Sequence, residues 1–253
     1  MLTENIRKHL KKLTQKKYRR EFGEFVIEGI KGVEEAMNSG LKIKMVILEE
    51  DKRSEIIMPL FVDAGPEVLY ANKNDIKEIK TTETFPGILA VVTMPQITLQ
   101  DFDFARPILC LDGVKDPGNL GTIIRTADWF GIKNILLSED CVDPYNEKVV
   151  RSTMGSIFRA HILESDNILK DVIELKKENY EVVGLQMEGE NALETKFSAK
   201  SIFVFGSESH GISQALQKFL DKSCTIPKIG EAESLNVGIA VGIVLSQLGA
   251  SKP

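Results

Sequence analysis

The chain is poor in cysteine and histidine and has no long apolar run. Its three cysteines, Cys110, Cys141 and Cys224, are widely spaced and odd in number, so they build no disulfide framework, and no C-x-x-C spacing points to zinc. The three histidines, His9, His161 and His210, form no ligand cluster, and no metal is expected. No stretch approaches the ~18 apolar residues a membrane span requires. The opening segment, MLTENIRKHLKKLTQKKYRR, contains no apolar stretch of signal-peptide length, so a cytoplasmic protein without membrane contact is expected. The G-x-G-x-x-G fingerprint and the P-loop are also missing, which removes two common nucleotide-binding readings of an α/β chain. Internal repeats and low-complexity stretches are absent.

What remains is the composition of an ordinary globular protein, 43% hydrophobic and 27% charged over 253 residues, enough for one large or two modest domains. The net charge of −5 is unevenly spread. Residues 1–20 carry eight Lys or Arg against one acid, Glu4, while the rest is strongly acidic. A basic arm of this kind attracts phosphates by counterion release. A solvated basic helix accounts for the same charge equally well.

The first part of the chain alternates strands and helices. FVIEG reads as a strand entering a helix over Ile30–Met37, stopped at Asn38-Ser39-Gly40. KMVILEE, EVLYA and GILAVVTM read as further strands, with helices at Glu55–Asp63 and Lys73–Lys80. PQITLQDFDFAR, residues 95–106, breaks the rhythm and marks a domain boundary. PILCLDGV then restarts it as an apolar strand of the kind buried on both faces of a parallel sheet. A helix over 118–130, a helix-like KVVRSTMGSIF, the strands NILLS, HILES, YEVVGLQ, SIFVFG and SCTIP, and a final helix over 234–249 complete a doubly wound α/β pattern.

Three segments place small or amide-bearing residues at strand ends. In DPGNLGTIIRTADWFG, Pro117 and Gly118 form a turn after a buried strand, and the helix that follows carries Asn119 and Arg125. Arg125 stands among Ile123, Ile124, Ala127 and Trp129 and is expected to be partly surrounded by apolar groups, which is costly without a partner. A structural salt bridge is the plain alternative. In FVFGSESHGIS, a strand ends at Gly206, where backbone can approach a ligand closely, followed by Glu208 and Gly211. Ser209 has Ser207 rather than glycine two residues before it, so the G-x-S-x-G elbow of a serine hydrolase is not formed; Glu208 can equally cap a helix. In IPKIGEAESLNVGIAVGIVL, Ser234 and Asn236 stand at a helix start, where ordinary caps belong.

Together and in this order, these segments resemble the signature motifs of the SpoU/TrmH family of RNA ribose 2′-O-methyltransferases, within the SPOUT superfamily, down to the string E-S-L-N-V. The resemblance extends to F-x-x-E-G at Phe25–Gly29. It implies an α/β protein whose parallel-sheet SPOUT domain, residues 105–253, contains a trefoil knot, preceded by a small α/β substrate-binding domain within residues 1–96. It further implies a cytoplasmic homodimer that methylates RNA, ribosomal rather than transfer RNA, from S-adenosylmethionine, with no DNA partner. Gly206, Ile226 and Leu235 match positions around the cofactor's adenosine. Arg125 matches the activator of the ribose hydroxyl. Asn119, Glu208, Ser234 and Asn236 match the other motif residues, which shape the pocket or orient the substrate; residues 144–156 resemble a family segment near the active site, with Asn146 and Arg151 as candidates for contacting RNA. A transfer-RNA enzyme, a base methyltransferase or a non-catalytic RNA-binding protein on the same fold are the competing readings.

Overall fold

The computed structural model describes residues 2–52 and 66–249. The helix expected at Glu55–Asp63 lies outside the described residues. The chain forms two compact units, one from residues 1–96 and 143–158, the other from 97–142 and 159–253.

In the first unit, helices α1 (Glu4–Leu13) and α2 (Lys16–Phe22) precede β1 (Glu24–Glu28), α3 (Ile30–Asn38), β2 (Ile43–Glu49), β3 (Glu67–Ala71), α4 (Lys73–Ile79) and β4 (Ile88–Thr93). The strands form a mixed sheet in the order β1-β4-β2-β3, with β2 and β3 parallel and β4 antiparallel to both its neighbours. The basic N-terminal segment is therefore not a free arm. Leu2, Leu10 and Leu13 bury one face of it against Val26, Ile47, Ile76, Leu89 and Val91, because apolar residues three or four apart share a helix face. Part of its charge is already used. Arg7 donates to Asp75 at 2.8 Å, and the buried Arg19 sends Nε and Nη2 to Asp143 Oδ2 at 2.9 and 2.5 Å.

Residues 143–158, expected within the second domain, pack with the first unit. Besides the Arg19–Asp143 pair, the Tyr145 ring lies 4.9 Å from that of Phe25. The segment is not one helix. The helix α5 (Glu147–Ser152) ends where Met154 and Gly155 adopt positive φ, 50° and 96°, and only a single 3-10 turn follows.

The second unit holds a six-stranded, wholly parallel sheet in the order β10-β8-β9-β5-β6-β7. Its elements are β5 (Ile108–Asp112), α6 (Pro117–Trp129), β6 (Asn134–Leu137), β7 (His161–Glu164), α7 (Ile168–Lys177), β8 (Glu181–Asn191), β9 (Ser201–Gly206), α8 (Gln214–Gln217), β10 (Lys222–Thr225) and α9 (Val237–Gly249). Ile108–Leu111 and Ser201–Phe205 are buried throughout, as central parallel strands must be. From β5 the chain steps to β6 and β7 on one side, while β9, β8 and β10 lie on the other. The direction of winding changes between β5 and β9, whose last residues, Asp112 and Gly206, are register partners. Loops leaving two such strands diverge and open a crevice, the usual ligand position in a doubly wound sheet.

Candidate active site

The three motif segments meet at that crevice. Asn119 lies in the first turn of α6, where its N–H donates to the capping carboxylate of Asp116 at 2.7 Å. Its side-chain amide then bridges both other motifs. Nδ2 donates to Glu208 Oε1 at 2.5 Å, and Oδ1 accepts from Asn236 Nδ2 at 2.9 Å. Asn236 in turn caps α9, its Oδ1 accepting from the N–H groups of Gly238 at 2.9 Å and Ile239 at 3.3 Å. The helix thus begins at Val237, later than the sequence pattern indicated, and Asn236 serves as a cap and as a tie at once. The carboxylate partner makes the Asn119–Glu208 bond charge-assisted, the stronger kind. Glu208 caps no helix; it sits in the turn after β9.

That turn is held by reciprocal backbone bonds, Ser207 N to Gly211 O at 3.1 Å and Gly211 N to Ser207 O at 2.9 Å, with Gly211 at φ +65°. Gly206 does allow a close approach, but the partner is the chain itself. A Cβ there would fall 2.0 Å from the Gly211 carbonyl carbon.

A cavity of about 980 Å³ opens beside this turn. Gly206, Glu208, Ile226, Ser234 and Leu235 line it, whereas Asn119 and Asn236 do not; the former are joined by residues the sequence reading passed over, Leu185 to Gly189 on β8 and Ser223 and Thr225 on β10. The reading stopped β8 at Gln186, whereas the strand continues to Asn191. The polar tail M-E-G-E-N looked like a loop because its residues face the cavity and solvent instead of a core. Gln186 Nε2 donates to Ser223 Oγ at 3.0 Å and Thr225 Oγ1 to Met187 O at 3.1 Å, fixing this wall.

Arg125 stands apart. It is exposed, does not line the cavity, and makes no hydrogen bond or ion pair among the described residues. The expected apolar surroundings are absent, because Ile123, Ile124 and Ala127 point into the core while Thr122, Arg125 and Trp129 share the outer face of α6. Asn146 and Arg151 belong to the first unit, where Asn146 caps α5 by accepting from Lys148 N at 2.9 Å and Arg151 is exposed. Cys110, Cys141 and Cys224 are buried free thiols; burial pushes each of them up, so none is poised as a nucleophile. Among the described residues no group of three potential ligands can hold a metal, and no helix is long and apolar enough to cross a membrane.

A doubly wound parallel sheet with a roomy cavity beside the carboxyl ends of β8, β9 and β10, bordered by a glycine turn that amide and carboxylate groups brace, defines a ligand-binding α/β protein. Its family follows from comparison. The SpoU rRNA Methylase family model matches residues 106–246, and an MRM3-like substrate binding domain matches residues 5–90. The chain belongs to the SpoU methylase family. It is 35% identical to the 23S rRNA (guanosine(2553)-2′-O)-methyltransferase RlmP of Bacillus subtilis, over 95% of this chain and 94% of the relative. Among solved structures it resembles a TrmH-family protein from Porphyromonas gingivalis, with 32% identity, a TM-score of 0.87 and 98% of each chain covered. It also resembles an AdoMet-bound rRNA methyltransferase from Sinorhizobium meliloti, with 32% identity, a TM-score of 0.85, and 98% and 95% covered.

Proposed function

We propose that this protein transfers a methyl group from S-adenosylmethionine to a ribose 2′-hydroxyl of ribosomal RNA, acting in the cytoplasm as a homodimer. The observation that carries the reading is the Glu208–Asn119–Asn236 chain of hydrogen bonds, which joins three distant motifs beside one cavity that Glu208 itself lines. The ribosomal target is supported by the match to a 23S rRNA enzyme along nearly the whole of both chains.

The cavity suits the cofactor. Its volume falls within the range of small-molecule pockets. Leu185, Ile226, Leu235 and Val237 offer apolar surface for an adenosine, while Glu188, Glu208 and Glu233 place carboxylates where a cationic ligand is held. In this reading Gly206, Ile226 and Leu235 border the adenosine, and the chain forms the family's trefoil knot around it. Bound there, S-adenosylmethionine would supply an electrophilic methyl carbon, becoming S-adenosylhomocysteine as the ribose oxygen takes the methyl group and gives its proton to solvent water. The protein's part is alignment and charge. Asn119, Glu208, Ser234 and Asn236 shape the pocket and orient the ribose. Arg125, positively charged and a poor base, stabilises the forming alkoxide and its neighbouring phosphate. Residues 1–96 contribute substrate binding and residues 105–253 the chemistry. The exposed Trp129 and Ile239, on α6 and α9, give a second copy an apolar surface to cover.

The test is incorporation of tritiated methyl from S-adenosylmethionine into ribosomal RNA from cells lacking the gene, with the product mapped as a 2′-O-methyl nucleotide. Arg125→Ala should lower turnover by about 10²–10³-fold and leave cofactor affinity nearly intact. Normal turnover at saturation with weakened cofactor binding contradicts the role given to Arg125. RNA binding without methyl transfer by the parent protein overturns the enzyme reading.

A further inference from the structure

The first unit carries a second concave surface, remote in sequence from the motifs above. Asn5, Lys8, His9, Lys11, Lys12, Gln15, Tyr18 and Phe22 line a groove of about 520 Å³ on α1 and α2. Its composition follows from helix geometry. Asn5, Lys8, His9 and Lys12 recur at three- and four-residue spacing and form one stripe of α1, beside the stripe of Leu10 and Leu13 that packs into the core. Tyr18 and Phe22 are four residues apart on α2, with ring centroids 6.0 Å apart and planes inclined by only 20°. The aromatic wall and the basic stripe therefore face the same groove.

The rings already attract cations. Lys12 Nζ lies 5.2 Å from the Tyr18 centroid and 5.9 Å from that of Phe22, and Lys17 Nζ lies 5.6 Å from Tyr18. Lys8 is balanced by Glu4 at 2.6 Å. Lys11 and Lys12 have no acidic partner among the described residues. His9 is fixed by Glu24 at 2.7 Å, and its ring packs at a tilt of 40° against Phe22 with centroids 4.9 Å apart, which holds the aromatic wall in place. No carboxylate lines the groove.

Two near-parallel half-exposed rings beside uncompensated lysines form a surface suited to a stacked base with its phosphates alongside. A duplex offers no base face to such a wall. We propose that this groove binds an unpaired nucleotide of the RNA substrate, its base stacked on Tyr18 and Phe22 and its flanking phosphates on Lys11 and Lys12. The inference rests on the RNA reading above and adds a site that grips single-stranded or bulged RNA away from the methylated ribose.

The probe is a fluorescein-labelled unstructured RNA of about 12 nucleotides, compared with a duplex of the same length, by anisotropy with the full chain. The single strand should bind more tightly than the duplex. Tyr18→Ala should weaken it by about 5- to 150-fold, Tyr18→Phe should restore it, and Lys11→Gln with Lys12→Gln should lower the log–log salt slope by about 1.4. With ribosomal RNA as methyl acceptor, the same variants should raise KM and leave kcat and cofactor affinity unchanged. Both lysines are exposed and outside the core, so that arm stands even if Tyr18→Ala perturbs folding. Unaltered RNA affinity in both variants, or equal competition by an acidic polyglutamate peptide, overturns the groove assignment while methyl transfer upholds the enzyme. Groove-dependent binding with no methyl transfer upholds the groove and sinks the enzyme instead.

Discussion

Replacing Gly206 with alanine tests whether the cavity floor is set by a backbone contact that admits no side chain. A Cβ at this position would lie 2.0 Å from the Gly211 carbonyl carbon, 2.2 Å from its oxygen and 2.2 Å from the Ile212 nitrogen. Non-bonded carbons rest about 3.5–4.0 Å apart, so the 211–212 peptide would have to retreat by about 1.5 Å. It is not free to do so. Two reciprocal backbone hydrogen bonds tie Ser207 to Gly211, and Ile212 is buried in the core. Losing both bonds costs about 1–3 kcal/mol, and the strain of overpacking adds about 1–3 kcal/mol. The expected loss is therefore about 2–6 kcal/mol, read as a lower urea midpoint at unchanged m-value. Ser207, Glu208, His210 and Gly211 all line the cavity, so affinity for S-adenosylmethionine, measured by titration calorimetry, should fall at least about tenfold. Gly242→Ala is the control. Inside α9 a Cβ there meets only Thr126 Cγ2 at 3.8 Å, and the change should stabilise by about 0.5–1 kcal/mol. A Gly206→Ala protein as stable as its parent and binding cofactor normally would refute the reasoning.

Two further outcomes follow from the first unit. Asp143→Ala leaves the Arg19 guanidinium, 3% exposed, with the Leu13 carbonyl at 2.8 Å, and should cost about 3–5 kcal/mol in a urea titration; pairing it with Arg19→Met should recover much of the loss, and an unchanged midpoint in the single variant would show the pair to be dispensable. Burial raises the Asp75 carboxyl, but hydrogen bonds from Arg7 and from the backbone of Leu2 and Asn72 outweigh it and hold the group below its usual range. A carboxyl lowered on folding contributes stability above its unfolded value of about 3.9 and loses it as pH falls through the lowered folded value. Asp75→Asn should therefore flatten the decline of the urea midpoint below about pH 4; parallel curves for both proteins would dismiss the effect.

The central strands were legible in the sequence because burial on both faces leaves an unbroken apolar run, as in Ile108–Leu111 and Ile202–Phe205. The crevice was legible through its glycines and amides, since a turn that must fold back tightly at Gly206 leaves a mark no other residue can make. The surroundings of Arg125 were misjudged for a reason equally present in the sequence. Neighbours at 123, 124 and 127 lie on the opposite side of a 3.6-residue helix from 125, and Thr122 and Trp129 were the better guides to its surroundings. The break at Met154 and Gly155 could not be read from periodicity, because Val149, Val150 and Ile157 keep an apolar rhythm across it. The packing of residues 143–158 with the first unit depends on a pairing between Arg19 and Asp143, 124 positions apart, and nothing local announces such a contact. The groove on α1 and α2 was half visible. The charge stood out, whereas Tyr18 and Phe22 gained meaning only once the two helices lay side by side.

The exposure of Arg125 bears directly on the chemistry proposed for it. At about 4 Å, a unit charge stabilises an opposite one by about 1 kcal/mol in bulk water and by about 4 kcal/mol at the effective dielectric of a partly covered protein site. Removing a well-placed electrostatic donor from an active site costs about 2.7–4 kcal/mol in the barrier. An arginine bathed in water, as in the single chain, falls short of that figure, and one shielded by substrate or protein reaches it. Its role as activator therefore requires something to cover the outer face of α6. The neighbouring Trp129, 84% exposed, gives a second copy of the chain a reason to dock close by, and an RNA phosphate can close the remaining side. The homodimer and the arginine's role are in this sense one proposal: without a cover over α6, the guanidinium is present but too well solvated to matter.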